Sequence, residues 1–332
     1  MTNLFAEELK GKVILTPEYV SQIVKNKILL ENNNVDFFKH YDEMMESIRI
    51  NTTPNNIKNY KQLHSILKGF EAETNYNLTF GTVNQPVFFD KFLKYCIKVK
   101  GFTNNTISGY IGKFKSFMNW ATKRGYNSEQ AYKEYNVKEY EVTHIALTPE
   151  EFKTLYFHDF RNYKLNKAKD LFCFMVSTGY RISDLKDLKP EHIQADCIEK
   201  VIVKTKERIK IPLNQYSKVL LAKYGSLINI RISEQKLNDY IKECCEILNF
   251  DTPVEIVKYQ GAKQIIETKP KYECITNHVA RKTFATLMLN QGMAAYDIMK
   301  ITGHKKETTF RKYVGINDEQ HNKKMIEAWG KI

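Results

Sequence analysis

The run Glu139–Leu147 divides the chain. It is polar and has no apolar period, and it ends at Thr148-Pro149-Glu150-Glu151. A threonine caps a helix, a proline suits the first helical position, and a glutamate three residues after the cap completes a capping box. A second domain is therefore predicted to begin at residue 148. A chain of 332 residues is long enough to bury two ordinary cores.

The first part of the chain is predicted to be helical. We take residues 1–31 as a leader of unclear role, 32–140 as a helical domain and 141–147 as the linker. Its helices are predicted at about Val35–Arg49, Thr53–Phe70, Pro86–Lys98 and Asn105–Arg124. The last is the clearest, because its apolar residues recur at intervals of three and four and Gly125 is placed to end it.

One stretch of this domain is strongly basic. The chain has 51 Lys+Arg against 38 Asp+Glu, a formal net charge of +13, which favours a polyanionic partner. One stretch has eight basic residues and no acidic one: Lys91, Lys94, Lys98, Lys100, Lys113, Lys115, Lys123 and Arg124. Such a stretch can be a merely solvated face, but the missing counter-charges favour contacts with the phosphates of nucleic acid.

The second domain, residues 148–332, mixes two periods. A buried helix is predicted at Ala168–Ser177. Apolar residues then alternate over 201–203 and 209–213, which predicts a β-hairpin. Helices resume from about Asn277 and continue to the end of the chain.

Other sequence features restrict the cofactors and the location. The six cysteines form no C-x-x-C, and the eight histidines show no zinc-type spacing. We expect reduced thiols, no metal site and no cofactor. No run approaches the roughly 18 apolar residues of a membrane span, and the N-terminus lacks a secretory signal pattern. A soluble cytoplasmic protein, acting at the nucleoid, is expected.

Several motifs, taken in order, resemble the tyrosine recombinases, the family of the phage and transposon integrases. Thr178-Gly179-Tyr180-Arg181 resembles the first arginine box, and His278-Val279-Ala280-Arg281 resembles the His-x-x-Arg box. Between them, Lys204-Thr205-Lys206-Glu207-Arg208 resembles the catalytic-lysine hairpin. Gly303-His304 precedes Tyr313 by the family's interval of nine positions (313 − 304). Each motif alone carries little information; the ordered set carries the resemblance.

The resemblance implies a fold and a partner. The fold is mostly α with a small antiparallel β-sheet: a helical, SAM-like core-binding domain and an α+β catalytic domain, which together clamp double-stranded DNA. The implied function is site-specific recombination through a 3′-phosphotyrosyl intermediate, for integration or excision of a mobile element. Four protomers would act on two sites without ATP or metal.

The sequence also predicts a helix at the end of the chain. Residues 317–332 are predicted to form a capped helix with Met325, Ile326, Trp329 and Ile332 on one face. The face could pack on its own domain. In the family such a helix is exchanged between protomers, and the apolar face suits that use.

The resemblance assigns the phosphate to two arginines. Cleavage of a phosphodiester develops negative charge on the non-bridging oxygens, and Arg181 with Arg281 would hold that charge through bidentate hydrogen bonds. Asp184, three residues after Arg181, would orient the arginines or the histidines.

The remaining roles are those of the nucleophile and of the residues that transfer protons. Tyr313 would be the nucleophile, and His278 and His304 suit the removal of its proton, since an ordinary tyrosine has a pKa near ~10. The resemblance gives the hairpin lysine the general-acid role toward the departing 5′ oxygen, here Lys204, with Lys206 as its rival.

Two alternatives stay open. A type IB topoisomerase uses the same chemistry without a partner duplex, and a regulator could bind DNA on a decayed integrase scaffold. Two departures from the family pattern are Ala280, where many relatives carry leucine, and the insertion Asn249–Cys274. Neither changes a catalytic side chain.

Overall fold

The computed structural model describes most of the chain. The described residues are 16–17, 36–201, 208–224, 232–311, 313–314, 326 and 329–330. They form many α-helices and two sheets of two strands each. The fold class expected from the sequence, mostly α with small sheets, is therefore confirmed.

The chain divides into two compact units. Unit 1 contains the described residues up to Tyr140 together with Lys258–Ile265. Unit 2 contains Glu141–Val257 and the described residues from Ile266 onward. The segment Lys258–Ile265 therefore belongs to the first unit, although the sequence places it far inside the second domain.

Unit 1 is built from long helices. They are α1 (Phe37–Ile48), α2 (Pro54–Thr74), α3 (Pro86–Lys98) and α4 (Asn104–Lys123). Local signals mark where these helices begin. Asp36 caps α1 by accepting from the Lys39 N–H at 3.0 Å, and a proline occupies the first position of α2 and of α3. The helices predicted from the periodicity are all present, with ends that differ by a few residues.

The core of unit 1 is strongly aromatic. The apolar stripe predicted on α4 is buried along its whole length, from Ile107 to Ala121. Phe88 and Phe92 of α3 stack with ring centroids 5.6 Å apart, and Phe70 of α2 meets Phe92 edge to face. This packing leaves the lysines of α3 and α4 on the other faces of the helices.

Unit 2 surrounds one buried helix. Its helices and first two strands are α5 (Pro149–Phe157), α6 (Tyr163–Thr178), α7 (Ile182–Lys186), β1 (Cys197–Val201), β2 (Arg208–Pro212), α8 (Gln215–Lys223), α9 (Glu234–Ile247), α10 (Lys271–Cys274), α11 (Asn277–Asn290), α12 (Ala295–Thr302) and α13 (Glu307–Arg311). Two more strands, β3 (Pro253–Gln260) and β4 (Lys263–Pro270), belong partly to unit 2 and partly to unit 1. Helix α6 is buried from Ala168 to Thr178 and packs against α9 and α11.

The helix start predicted at Thr148 has the expected geometry. The Thr148 hydroxyl accepts from the Glu151 N–H at 3.1 Å, and the Glu151 carboxylate accepts from the Thr148 N–H at 2.7 Å. The β-hairpin is also confirmed, since β1 and β2 pair antiparallel from Cys197 opposite Pro212 to Val201 opposite Arg208. Residues 202–207 lie outside the described part of the chain.

The insertion Asn249–Cys274 has structure that the sequence interpretation did not assign. It contains β3 and β4, which pair with each other, and the short helix α10. Where the segment turns, Gly261 lies in unit 1. The Asn104 side chain accepts from the Gly261 N–H at 2.7 Å and donates to its carbonyl at 3.0 Å.

Two further expectations concern thiols and membranes. All six cysteines are free thiols, and all except Cys274 are buried. Among the helices that the structure describes, none is long and apolar enough to cross a membrane. The predicted C-terminal helix lies almost entirely outside the described residues; Ile326 and Trp329, which are described, are exposed.

Candidate active site

The first arginine is delivered by a turn that requires glycine. Helix α6 ends at Gly179, whose φ is +70°, and a β-carbon there would lie 2.7 Å from Cδ1 of Phe284. The turn leads to Arg181, the N-cap residue of α7, whose Nη1 lies 3.7 Å from Oδ2 of the fully buried Asp184. Asp184 is therefore an ion-pair partner of Arg181, and orienting that arginine is one of the two roles the sequence left open for it.

Arg281 joins three elements around the same point. It lies on α11 and is only 2% exposed. Its Nη1 donates to the carbonyl of Gly179 at 2.7 Å, and its Nη2 donates to the carbonyl of Thr302 at the end of α12. Burial, followed by the charge of Arg181, lowers the pKa of the Arg281 guanidinium, whereas Tyr313 and Asp184 raise it.

The two guanidinium groups keep hydrogen-bonding capacity. Within the described residues, Nη1 of Arg181 and Nε of Arg281 are buried and make no hydrogen bond. Buried donors are normally satisfied, because an unsatisfied one costs about 1 to 3 kcal/mol. Cationic donors of this kind are what an anion such as a phosphodiester needs.

His304 is fixed by a threonine at the end of α12. Gly303 ends the helix with φ +64°, and Nδ1 of His304 lies 2.7 Å from the Thr302 hydroxyl. That hydroxyl donates its single hydrogen to the Ile298 carbonyl at 2.6 Å, so it accepts from His304. A neutral His304 therefore carries its hydrogen on Nδ1 and its basic lone pair on Nε2.

Tyr313 lies close to both His304 and Arg281. It is half-buried and follows α13, with its N–H donating to the Phe310 carbonyl at 2.7 Å. Its ring centroid lies 4.6 Å from that of His304, and the Arg281 guanidinium lies 5.9 Å from the Tyr313 ring centroid. Residues separated by more than thirty positions in the sequence thus form one cluster.

His278 lies one helical turn before Arg281 on α11 and is exposed. Desolvation by the surrounding protein lowers its pKa; Glu234 opposes this shift, and the charges of Arg281, Lys282 and Arg181 reinforce it. Its imidazole is therefore largely neutral at pH 7 and able to accept a proton.

Lys204 and its rival Lys206 both lie outside the described residues, between β1 and β2. A different lysine, which the sequence interpretation missed, belongs to the site. Lys200 of β1 is 6% exposed, and its Nζ donates to the Asp184 carbonyl at 2.6 Å. Burial lowers the pKa of Lys200. The sequence did contain a signal for this lysine. Lys200 lies two residues after Ile198 in an alternating strand and therefore faces inward as Ile198 does.

A basic cleft of about 680 Å³ opens beside His304. Residues of β2, of α12 and of the turn after α12 line it. They are Arg208, Ile209, Lys210, Tyr296, Met299, Lys300, Gly303, His304 and Lys305. Its side chains carry positive charge and no carboxylate, so the cleft suits a polyanion next to the Tyr313 cluster.

The eight basic residues of unit 1 are not equivalent. Lys94, Lys98 and Lys123 are exposed on α3 and α4. The other five contact groups of their own unit. These contacts are Lys91 over Tyr76, Lys100 with Glu73, Lys113 with Asn56, Lys115 with the Lys133 carbonyl, and Arg124 over Trp120. Among the described members of this set, Lys94, Lys98 and Lys123 are the ones that are exposed and make no such contact.

Sequence profiles of known families match both units. The profile described as "Phage integrase family" matches residues 146–320, and the profile described as "Phage integrase SAM-like domain" matches residues 36–142. The chain belongs to the phage integrase family. It is therefore an enzyme of the tyrosine-type site-specific recombinases, as the ordered motifs indicate.

Known relatives of this integrase family member are distant. Tyrosine recombinase XerC of Thermodesulfovibrio yellowstonii is 23% identical over 255 residues, which cover 74% of this chain and 81% of the relative. Tyrosine recombinase XerA of Saccharolobus solfataricus is 29% identical over 152 residues, which cover 45% of this chain. That alignment spans only about half (46%) of the XerA relative's length.

Solved integrases share the fold. The integrase of transposon Tn1549 (residues 82–397), solved with circular intermediate DNA, has a TM-score of 0.60 and 16% identity, covering 86% of this chain and 98% of that one. A lambda integrase tetramer bound to a Holliday junction has a TM-score of 0.61 and 15% identity, covering 93% of this chain and 90% of that one.

Proposed function

We propose that the protein cleaves and rejoins double-stranded DNA at specific sites through a covalent bond between Tyr313 and a 3′ phosphate. The observation that supports this best is the cluster of Arg281, His304 and Tyr313, in which a buried cation and an imidazole flank the phenol. No other tyrosine among the described residues lies against both a histidine ring and an arginine.

The two arginines hold the scissile phosphate. Arg181 and Arg281 offer buried N–H groups that make no hydrogen bond among the described residues, and the ion pair with Asp184 at 3.7 Å orients the first of them. Fixed cationic donors stabilise the charge that develops on the non-bridging oxygens in the transition state. This arrangement does for the phosphate what a bound metal ion does in other enzymes.

The reaction is a displacement at phosphorus. The Tyr313 oxygen forms a bond to phosphorus while the bond from phosphorus to the 5′ oxygen breaks. The phenol proton passes to an imidazole, for which the neutral His278 and the Nε2 of His304 are both suited. Lys204 donates a proton to the departing 5′ oxygen, with Lys206 as the other candidate. A 5′ hydroxyl of the partner duplex later reverses the step, so the bond energy is conserved.

DNA and a second set of protomers are the partners. The basic cleft beside His304 and the exposed Lys94, Lys98 and Lys123 provide phosphate contacts. Similar folds were solved as a lambda integrase dimer on a core site and as a tetramer on a Holliday junction. We propose a tetramer in synapsis, with the helix of residues 317–332 exchanged between protomers.

The biological event is the movement of a mobile element. The support is the likeness to the Tn1549 and lambda integrases, which is a likeness of fold. Sequencing the DNA that flanks the gene tests this proposal, because an element that integrates by this route leaves short repeats at both of its ends.

The nucleophile is tested with a nicked suicide substrate, from which the cleaved 5′ end diffuses away and traps the covalent adduct. Tyr313→Phe should bind the site with near wild-type affinity and form no adduct. Tyr163→Phe, which changes a tyrosine that is 75% exposed at the start of α6, is the control and should form adduct normally. Adduct formation by Tyr313→Phe would reject the assignment. Relaxation of supercoils without recombination of two sites would indicate a topoisomerase, and binding without any adduct would indicate a regulator.

A further inference from the structure

His144, in the run that links the two domains in the sequence, contacts the main chain of the nucleophile. Its Nε2 lies 2.9 Å from the carbonyl oxygen of Tyr313. Both residues belong to unit 2. A carbonyl oxygen only accepts, so Nε2 carries the hydrogen and donates it. The Thr286 hydroxyl, 3.4 Å from the same nitrogen, sets the ring against α11.

The linker holds the His144 ring in place from both sides. The Thr143 hydroxyl donates to the Glu255 carbonyl of β3 at 2.8 Å. The Leu147 N–H donates to the Thr283 hydroxyl of α11 at 3.0 Å. The residues before and after His144 are thus fixed to unit 2, and the imidazole is held by a short, hydrogen-bonded segment.

Apart from the His144 contact, the Tyr313 segment is held by two local main-chain hydrogen bonds and by apolar packing. The Tyr313 N–H donates to the Phe310 carbonyl at 2.7 Å, and the Val314 N–H donates to the Arg311 carbonyl at 3.4 Å. Phe310 and Val314, on either side of Tyr313, are buried in a small cluster with Phe284 and Ile298. Such packing resists translation of the segment but gives little control over the direction of the peptide plane. Among the described residues, His144 is the one whose side chain hydrogen-bonds to the main chain of Tyr313.

We propose that His144 is a positioning residue, which holds the peptide plane of Tyr313 so that the phenol points at the phosphate. Through His144, the hydrogen bond links the main chain of Tyr313 to α11, the helix that also carries Arg281. This inference rests on the proposed role of Tyr313. The reaction rate depends steeply on the alignment of the reacting atoms, since a displacement of about 1 Å can lower the rate on the order of a hundredfold.

The protonation state of the His144 ring agrees with its role as a hydrogen-bond donor to Tyr313. Burial lowers the pKa of His144, the hydrogen bond to the Tyr313 carbonyl opposes that shift, and the charge of Lys282 adds to it. The ring is therefore neutral at pH 7, with its one hydrogen on the nitrogen that faces Tyr313.

Three variants of the full-length protein separate positioning from general stability. His144→Ala should slow single-turnover adduct formation at saturating protein by roughly ten- to a hundredfold, with the Kd for DNA within about twofold of wild type. His144→Gln keeps an N–H donor at a similar reach and should recover most of the rate. Val142→Ala changes a side chain of the same linker that is 68% exposed and holds no part of the contact, so it should keep the wild-type rate.

Several outcomes would overturn the inference: a wild-type rate for His144→Ala, equal losses in His144→Ala and Val142→Ala, or no recovery in His144→Gln. A second measurement does not depend on activity. In protein labelled with ¹³C at the tyrosine carbonyls, the resonance missing from Tyr313→Phe should move in His144→Ala and stay in Val142→Ala. If that resonance moves but wild-type protein forms no adduct, the proposed function fails; if adduct forms but the resonance stays, the His144 contact fails.

Discussion

Replacing Gly179 by alanine should destabilise unit 2 and disturb the arginine pair. Two separate costs meet at this position. The φ of +70° is a left-handed conformation, which costs a residue with a β-carbon roughly 1 to 2 kcal/mol. The new β-carbon would also lie 2.7 Å from Cδ1 of Phe284, and overpacking of this kind costs roughly 1 to 3 kcal/mol.

The sum, roughly 2 to 5 kcal/mol, corresponds to a fall in Tm on the order of 10 °C for a unit of this size. Gly292 provides a matched control in the same unit. Its φ is +91°, but a β-carbon there would meet nothing within 4 Å. Gly292→Ala should therefore cost only the conformational part, roughly 1 to 2 kcal/mol.

Differential scanning calorimetry of both variants measures the difference. The pair Gly179→Ala and Phe284→Leu should be less destabilised than the two single losses predict, because the smaller side chain removes the overlap. Adduct formation by Gly179→Ala should also fall, since the Gly179 carbonyl accepts from Arg281 at 2.7 Å. Equal losses in Gly179→Ala and Gly292→Ala would refute the steric part of this reasoning.

Further predictions concern the chemistry and the DNA. Lys204→Ala should cleave ordinary DNA roughly 10² to 10⁴ times more slowly and recover on DNA with sulfur at the scissile 5′ position, because a thiolate leaves without a proton. Arg181→Ala should stay impaired on the same substrate; equal rescue of both would show that the lysine is not the acid. Neutralising Lys94, Lys98 and Lys123 together should weaken binding to specific and random DNA alike and lower the salt slope by about one per lost phosphate contact; a loss confined to the specific site would indicate base readout. Cleavage should persist in excess EDTA without ATP, and restoration of a lost activity by magnesium would contradict the role given to the arginines.

The helices could be predicted from the sequence where local signals agree. Pro86 and the aromatic spacing that follows it define α3, and the Thr148 capping box defines the start of α5. The segment β3–β4 was missed although signals exist, since Val254 and Ile256 alternate before Gly261. The interpretation treated the segment as an insertion because the family resemblance offered no counterpart.

The site was predictable only as far as side chains belong to motifs. Arg281, His304 and Tyr313 come together as the resemblance implies. Lys200 and His144 were missed for a different reason. Each acts through a hydrogen bond to a backbone carbonyl distant in the sequence, and such a contact depends on how elements pack and not on a local pattern.

Peptide mapping of the trapped adduct tests whether Tyr313 carries the DNA. After nuclease digestion, trypsin should release Tyr313 at the start of the peptide 313–323, in which it is the only tyrosine. Tandem mass spectrometry should find the residual nucleotide on that peptide, attached at Tyr313. A nucleotide on any other residue, or an adduct whose 313–323 peptide is unmodified, would contradict the account.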